Sequence, residues 1–139
     1  MAYYECIYKD DHINIGDKFN VSLTGSHNLT ITATVCYINK TTICLLGDTS
    51  LGITDWPTQC TYAWNYTINI NNKEYTGTCR IPTIQQIYSK CAGYKRDFDY
   101  WLYTEYNSAS DWYDSSYGYV YYRVTHVYNH TLPFIEITL

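Results

Sequence analysis

Thr30-Ile31-Thr32-Ala33-Thr34-Val35-Cys36-Tyr37-Ile38 alternates with a period of two. Ile31, Ala33, Val35 and Tyr37 fall on one side, and Thr30, Thr32, Thr34 and Cys36 on the other. Successive side chains of an extended chain point to opposite faces, so this run predicts a half-buried β-strand. Asn39-Lys40 supplies a turn, and Thr42 to Leu46 is a more apolar strand returning from it. The pattern recurs downstream. Tyr66, Ile68 and Ile70 alternate, Asn71-Asn72 turns, and Glu74 to Thr78 runs back, predicting a second hairpin. The β-branched Thr and Ile content favours pleated, half-buried surface throughout this half of the chain.

One segment has a different period. Thr83-Ile84-Gln85-Gln86 is a capping-box sequence, with the Thr83 hydroxyl placed to accept from the Gln86 amide. Ile84, Ile87, Tyr88 and Cys91 follow at the spacing of one helix face. Lys90 sits in the last turn, where a cation meets the helix dipole, and Gly93 suits the left-handed position beyond the end. Farther on, Tyr100 to Thr104, Tyr117 to Val124 and the apolar Leu132 to Thr138 read as strands, with Asn107 to Ser110 and Ser115-Ser116 as loops. The fold class expected is α+β, mostly antiparallel strands with one or two short helices, in a single domain spanning residues 1–139.

Composition narrows the function. Only 16% of the 139 residues are charged, so the surface is built from uncharged polar groups: Tyr, Asn, Thr and Ser. A net charge of -4 with no basic run argues against nucleic acid, whose phosphates demand a basic face. No window approaches the roughly 18 consecutive apolar residues of a membrane span, so no membrane insertion is expected. Met1-Ala2-Tyr3-Tyr4-Glu5-Cys6 shows no basic segment followed by an apolar one, and no signal peptide is visible. Such a chain starts as a soluble product or is a fragment of something longer. Cys6, Cys36, Cys44, Cys60, Cys79 and Cys91 lack zinc-ligand spacing, which leaves buried thiols or structural disulfides. Five N-x-S/T sequons, at Asn20, Asn28, Asn39, Asn65 and Asn129, are read as incidental to an Asn/Thr-rich surface.

Ten of the chain's 18 tyrosines lie between Tyr94 and Tyr128, with Trp101 and Trp112 among them. The two tryptophans are expected as core anchors. Tyr117, Tyr119, Tyr121 and Tyr122 cannot all point one way along a strand, so several tyrosines must be exposed. Exposed Tyr interleaved with Ser, Asn and Asp is the composition of a recognition surface: large rigid area, few rotatable bonds, and adaptable polar neighbours.

The order of motifs in this region is Arg80-Ile81-Pro82-Thr83 entering a short helix, then Tyr100-Trp101-Leu102-Tyr103-Thr104-Glu105-Tyr106-Asn107-Ser108, then Asp111-Trp112-Tyr113 and Tyr117-Gly118-Tyr119-Val120-Tyr121-Tyr122. It resembles the C-type-lectin-fold variable proteins that retroelements diversify in phages, archaeal viruses and bacteria. Their domain has an R-[LI]-P-T helix entry, a W-S-S-[ST]-E strand and an aromatic G-x-V-x-x hairpin. The match covers Arg80 to about Ile135. The resemblance implies a C-type-lectin-like fold with a fixed scaffold and a mutable face, the variable region running from about 100 to 130. Error-prone copying scatters Asn-type codons to Tyr, Ser, Asp, His, Asn and Thr. Those residue types stand at Tyr103, Tyr106, Ser108, Ser110, Asp111, Tyr113, Asp114, Tyr117, Tyr119, Tyr121, Tyr122, Thr125, His126, Tyr128 and His130. These are the candidate ligand-binding residues. Trp101, Thr104, Glu105, Trp112, Gly118 and Val120 would be the scaffold between them. The family commonly ends in a V-R-P-V strand, whereas Leu132-Pro133-Phe134-Ile135 keeps the proline without the arginine. The calcium-site triplets of sugar-binding C-type lectins are absent, so no calcium-dependent sugar coordination, and no cofactor, is expected.

Enzyme chemistry finds little footing. No Gly-rich phosphate loop, H-E-x-x-H or G-x-S-x-G occurs. His126 and His130 lie four apart without an obvious third metal ligand, and read as solvated or contact histidines. Asp97 with Asp99, or Asp111 with Asp114, are the pairs that glycoside hydrolysis would use, at a separation the sequence does not supply. The expectation is a non-catalytic receptor-binding domain on a virion or cell surface, taking a host-surface protein or glycan as its partner. The alternative is a structural virion or surface-layer subunit whose tyrosines mediate assembly, and a third reading is a small glycan-cleaving enzyme. Oligomeric state is left open by the sequence.

Overall fold

The structure is a computed structural model that describes residues 13–55, 61–91, 98–103, 109–114, 119–124 and 128–139, with the backbone alone described at 54–55, 109–114, 119–124 and 128–129. Eleven strands and one helix occur among these residues: β1 (Lys18–Gly25), β2 (Leu29–Ile38), β3 (Thr42–Gly47), β4 (Ile53–Asp55), β5 (Trp64–Ile70), β6 (Lys73–Cys79), α1 (Ile84–Lys90), β7 (Tyr100–Trp101), β8 (Ala109–Asp114), β9 (Tyr119–Val124), β10 (Tyr128–His130) and β11 (Phe134–Thr138). The expectation of mostly antiparallel strands with a short helix holds.

Six strands form an antiparallel sheet in the order β11-β3-β2-β1-β5-β6. Its two ends meet just past β6, where the amide of Phe134 in β11 donates to the carbonyl of Arg80 at 2.9 Å in an isolated antiparallel bridge. The sheet thereby closes on itself, which shields edges that would otherwise recruit other strands. Alternation fills the interior. Val21 and Leu23 of β1, Ile31, Ala33 and Val35 of β2, Ile43 and Leu45 of β3, Trp64 to Ile70 at every second position of β5, and Ile135 and Ile137 of β11 are buried together. Gly77 stands opposite Tyr66 in the register, and a Cβ there would come within 2.9 Å of the Tyr66 ring. Glycine on β6 thus makes room for the tyrosine inside the closed sheet. The outward positions Asn20, Ser22, Thr24, Thr30, Asn65, Asn69, Thr76 and Thr78 are exposed, as the composition predicts.

Both predicted hairpins are present, and each turn has an identifiable cause. Asn39 Oδ1 accepts from the amides of Thr41 and Thr42, both at 2.9 Å. Asn71 and Asn72 adopt φ of 52° and 66°, the left-handed pair of a type I′ turn, which asparagine tolerates better than other side chains.

One parity prediction fails. Tyr37 was expected to share a face with Val35, but a β-bulge lies between them: Val35 pairs with Leu45 while Tyr37 pairs with Cys44. The extra residue, Cys36, shifts the alternation by one, so Ile38 packs against the interior and Tyr37 against the outside. There a second core begins. Cys36, Cys44 and Leu46 of the closed sheet pack with Ile87 and Cys91 at the helix, and with Tyr100, Leu102, Leu132 and Phe134. β3 is therefore buried on both faces, Ile43 and Leu45 on one and Cys44 and Leu46 on the other.

α1 carries the expected capping box in both directions: Gln86 N donates to Thr83 Oγ1 at 3.1 Å, and Thr83 N to Gln86 Oε1 at 2.9 Å. Ile87 and Cys91 face the second core, but Tyr88, expected beside them, is 58% exposed. Two turns of helix bury a narrow stripe, and Tyr88 lies beyond its margin. Lys90 sits 4.1 Å above the Tyr37 ring, a cation–π contact. Gly93 lies outside the described residues. Strand boundaries also differ from expectation. β7 ends at Trp101; Tyr103 instead bridges to Thr83. β11 starts at Phe134, after Pro133, which has no amide to donate to the ladder. Ser110, read as loop, belongs to β8.

Candidate functional site

β7 to β10 join β4 in a second sheet of order β4-β10-β7-β8-β9. β8 pairs antiparallel with β9 through Ser110↔Arg123, Asp111↔Tyr122, Trp112↔Tyr121, Tyr113↔Val120 and Asp114↔Tyr119. Trp112 pairs in turn with Trp101, and Tyr113 with Tyr100. β10 lies parallel to β7, with His130 beside Tyr100. Nine candidate positions thus fall on strands of one sheet: Ser110, Asp111, Tyr113 and Asp114 on β8, Tyr119, Tyr121 and Tyr122 on β9, and Tyr128 and His130 on β10. Strand alternation assigns Tyr119 and Tyr121 to one face and Tyr122, with its partner position Asp111, to the other. β10 is two strand spacings from β8, roughly 10 Å, so Tyr128 is set apart from the β8–β9 group. Tyr106, Ser108, Tyr117, Thr125 and His126 lie outside the described residues, as do the scaffold positions Thr104, Glu105 and Gly118.

The sheet is held from beneath by three consecutive residues. Tyr100, Trp101 and Leu102 are each wholly buried. Trp101 joins the interior cluster of the closed sheet, while Tyr100 and Leu102 join the second core. Trp101 is the core anchor that the sequence predicts. At the other side His130 is fixed rather than free. Its Nδ1 lies 2.9 Å from Ser50 Oγ, and its ring packs 4.4 Å from that of Phe98. Burial lowers its pKa, favouring the neutral ring.

Tyr103 borders a cleft of about 350 Å³ formed where the closed sheet, the start of α1 and the end of β7 meet. Its amide donates to the Pro82 carbonyl at 2.8 Å, and the Arg80 guanidinium lies 4.5 Å above its ring. Ile81, Thr83, Gln86, Phe134 and Glu136 complete the wall. The volume suits a monosaccharide or a short peptide segment, and the wall offers an aromatic face, one cation, one carboxylate and neutral hydrogen-bonding groups. Sequence reasoning missed most of this cleft. Arg80 was visible only as part of the helix-entry motif, and Glu136 carried a signal as the lone charge in the apolar stretch Leu132 to Leu139.

The Cys79 thiol in the cleft wall is pushed up to about 12 by burial, so it is no nucleophile at neutral pH. Asp111 and Asp114 lie three apart on β8, at positions of opposite parity along the strand. Among the described residues no group of three or more His, Cys, Asp or Glu could hold a metal ion, and no helix is long and apolar enough to cross a membrane. No family model, curated protein or solved structure matches the chain.

Proposed function

We propose that this chain is a ligand-recognition domain, non-catalytic and displayed on a virion or cell surface, that binds a host-surface protein or glycan through its tyrosine-bearing strands. One observation carries the reading. The candidate positions on β8, β9 and β10 belong to a single sheet, whereas the closed six-stranded sheet bears none of them. Residue types on that second sheet can change while the interior of the closed sheet stays as it is. Tyrosine suits such a face because each ring brings area and a hydroxyl at low conformational cost.

For the segment from Arg80 to about Ile135 the proposal extends to the C-type-lectin-fold variable type. Its support is the ordered motif set, the capped helix entered through Arg80-Ile81-Pro82-Thr83, and the buried Trp101. β1, β2, β3, β5 and β6 precede that segment and supply five of the six strands of the closed sheet; the sixth, β11, begins at its end.

The test is binding to cells or to an immobilised glycan and protein panel, with Tyr119, Tyr121 and Tyr122 changed together to Ala. At roughly 1–2 kcal/mol for each hot-spot tyrosine, binding should weaken by at least about tenfold. Undiminished binding by a still-folded variant would defeat the proposed role of these strands. Light scattering distinguishes an assembly role: self-association that the same triple change abolishes would assign the tyrosines to subunit contacts instead.

A further inference from the structure

Cys36 and Cys91 come from distant parts of the chain and meet in the second core, with their sulfurs 3.1 Å apart. That separation is about 1 Å longer than a disulfide's roughly 2.05 Å. Cys36 lies in the bulge of β2, and Cys91 is the C-cap of α1, its amide donating to the Ile87 carbonyl at 3.0 Å. Cys36 is a bulge residue without a ladder partner and Cys91 is a helix cap, so a small shift closes the gap without breaking a strand ladder. We propose that Cys36 and Cys91 are a disulfide-forming pair, which a disulfide-bearing oxidant converts into a staple between β2 and α1.

The exchange balances without further reagents. Cys36, 7% exposed against 1% for Cys91, loses its proton and attacks one sulfur of the donor, forming a mixed disulfide and expelling a thiolate. Cys91, deprotonated in turn, attacks the Cys36 sulfur, forming the Cys36–Cys91 bond and expelling the donor's second half. Two electrons pass from the cysteine pair to the donor disulfide, and the two protons end on the two donor thiols.

The neighbouring thiols do not compete on equal terms. Cys44 is fully buried, and burial together with the nearby Glu136 charge and Cys36 pushes its thiol up to about 12, against forming the attacking thiolate. Cys79 belongs to the interior cluster of the closed sheet, away from the pair. Closing the bond would fasten the helix end opposite Thr83, the residue that bridges to Tyr103. The staple therefore braces the scaffold bordering the Tyr103 cleft. It would enclose a long loop, the two cysteines being 55 positions apart, so its effect on stability should be large.

The full chain is equilibrated in glutathione buffers from reducing to oxidising, its remaining thiols are alkylated, and its peptides are mapped by mass. The expected product is a Cys36–Cys91 cross-linked peptide about 2 Da lighter than its two thiol parts. The melting temperature should be roughly 10 °C higher in the oxidised form. Cys36→Ala and Cys91→Ala should each abolish that shift, and Cys44→Ala should retain it. Full alkylation of both thiols in the oxidising buffer, or linkage of Cys36 to a different cysteine, overturns the proposal. The wild-type map alone decides should the variants fail to fold.

Discussion

The two sheets draw on the same residue types, Tyr, Thr, Ser and Asn, yet use them in opposite ways. In the closed sheet a buried apolar residue recurs at every second position, as in β5 and along Val21 and Leu23 of β1. A one-residue slip of β1 would expel Val21 and Leu23 together, so pattern alone pins the register. The second sheet has strands as short as two and three residues, one parallel pair, and tyrosines at the consecutive positions Tyr121 and Tyr122. Alternation cannot choose a face there. Its place is set instead by the buried anchors Tyr100, Trp101 and Leu102.

Trp101→Ala attacks the coupling between the two regions most directly. Its strand belongs to the second sheet, but its side chain is buried in the interior cluster of the closed one. Removing a buried indole should cost about 3–5 kcal/mol in urea unfolding, and a loss below about 1 kcal/mol would show that the sheets are not coupled through it.

The regions should also fail at opposite ends of the pH scale. Burial raises the Cys79 thiol of the closed sheet from 9.0 to about 12. The unfolded chain releases that proton near pH 9 and the folded chain only near 12. Stability is therefore complete below pH 9 and declines as pH rises through this window, by about 1.4 kcal/mol per pH unit at most. Alkaline denaturation of Cys79→Ala should be correspondingly flatter. For His130 the shift is downward, so the unfolded chain takes up a proton more readily and stability falls as pH drops below 6.5. An acid limb that persists unchanged in His130→Gln would remove this histidine from the account.

Smaller effects sharpen the local explanations. Gly77→Ala should cost about 1–3 kcal/mol by forcing the Tyr66 ring aside. Thr83→Ala, which removes the helix cap, should cost about 1 kcal/mol. Asn72→Gly should stabilise by a few tenths of a kcal/mol, since glycine relieves the left-handed strain at φ 66°. Thermal melts of the three variants check both signs and their order.

Legibility in the sequence followed the same division only in part, since β1 of the closed sheet, Lys18–Gly25, was not anticipated. Both hairpins and the capped helix were readable because alternation, Asn turns and the capping box are local signals. The bulge at Cys36 was not, since an inserted residue leaves the sequence alternation intact and changes only the pairing. β8 was hidden because Ala109-Ser110-Asp111-Trp112-Tyr113-Asp114 has no clean period and reads as loop by composition. β4 and β10 are three residues each, too short to show any period. Tyr103 and His130 were legible by residue type. Their surroundings, the Arg80–Tyr103 stack and the Ser50 and Phe98 contacts, join residues tens of positions apart, which no local pattern reports.

The most direct measurement is deep sequencing of this gene across many sister isolates of its source population. Variation should be concentrated at the candidate positions from Tyr103 to His130, with Trp101, Trp112, Gly118 and the interior of the closed sheet constant. Variation spread evenly over both sheets, or confined to the closed sheet's outer face, would contradict a diversified recognition surface.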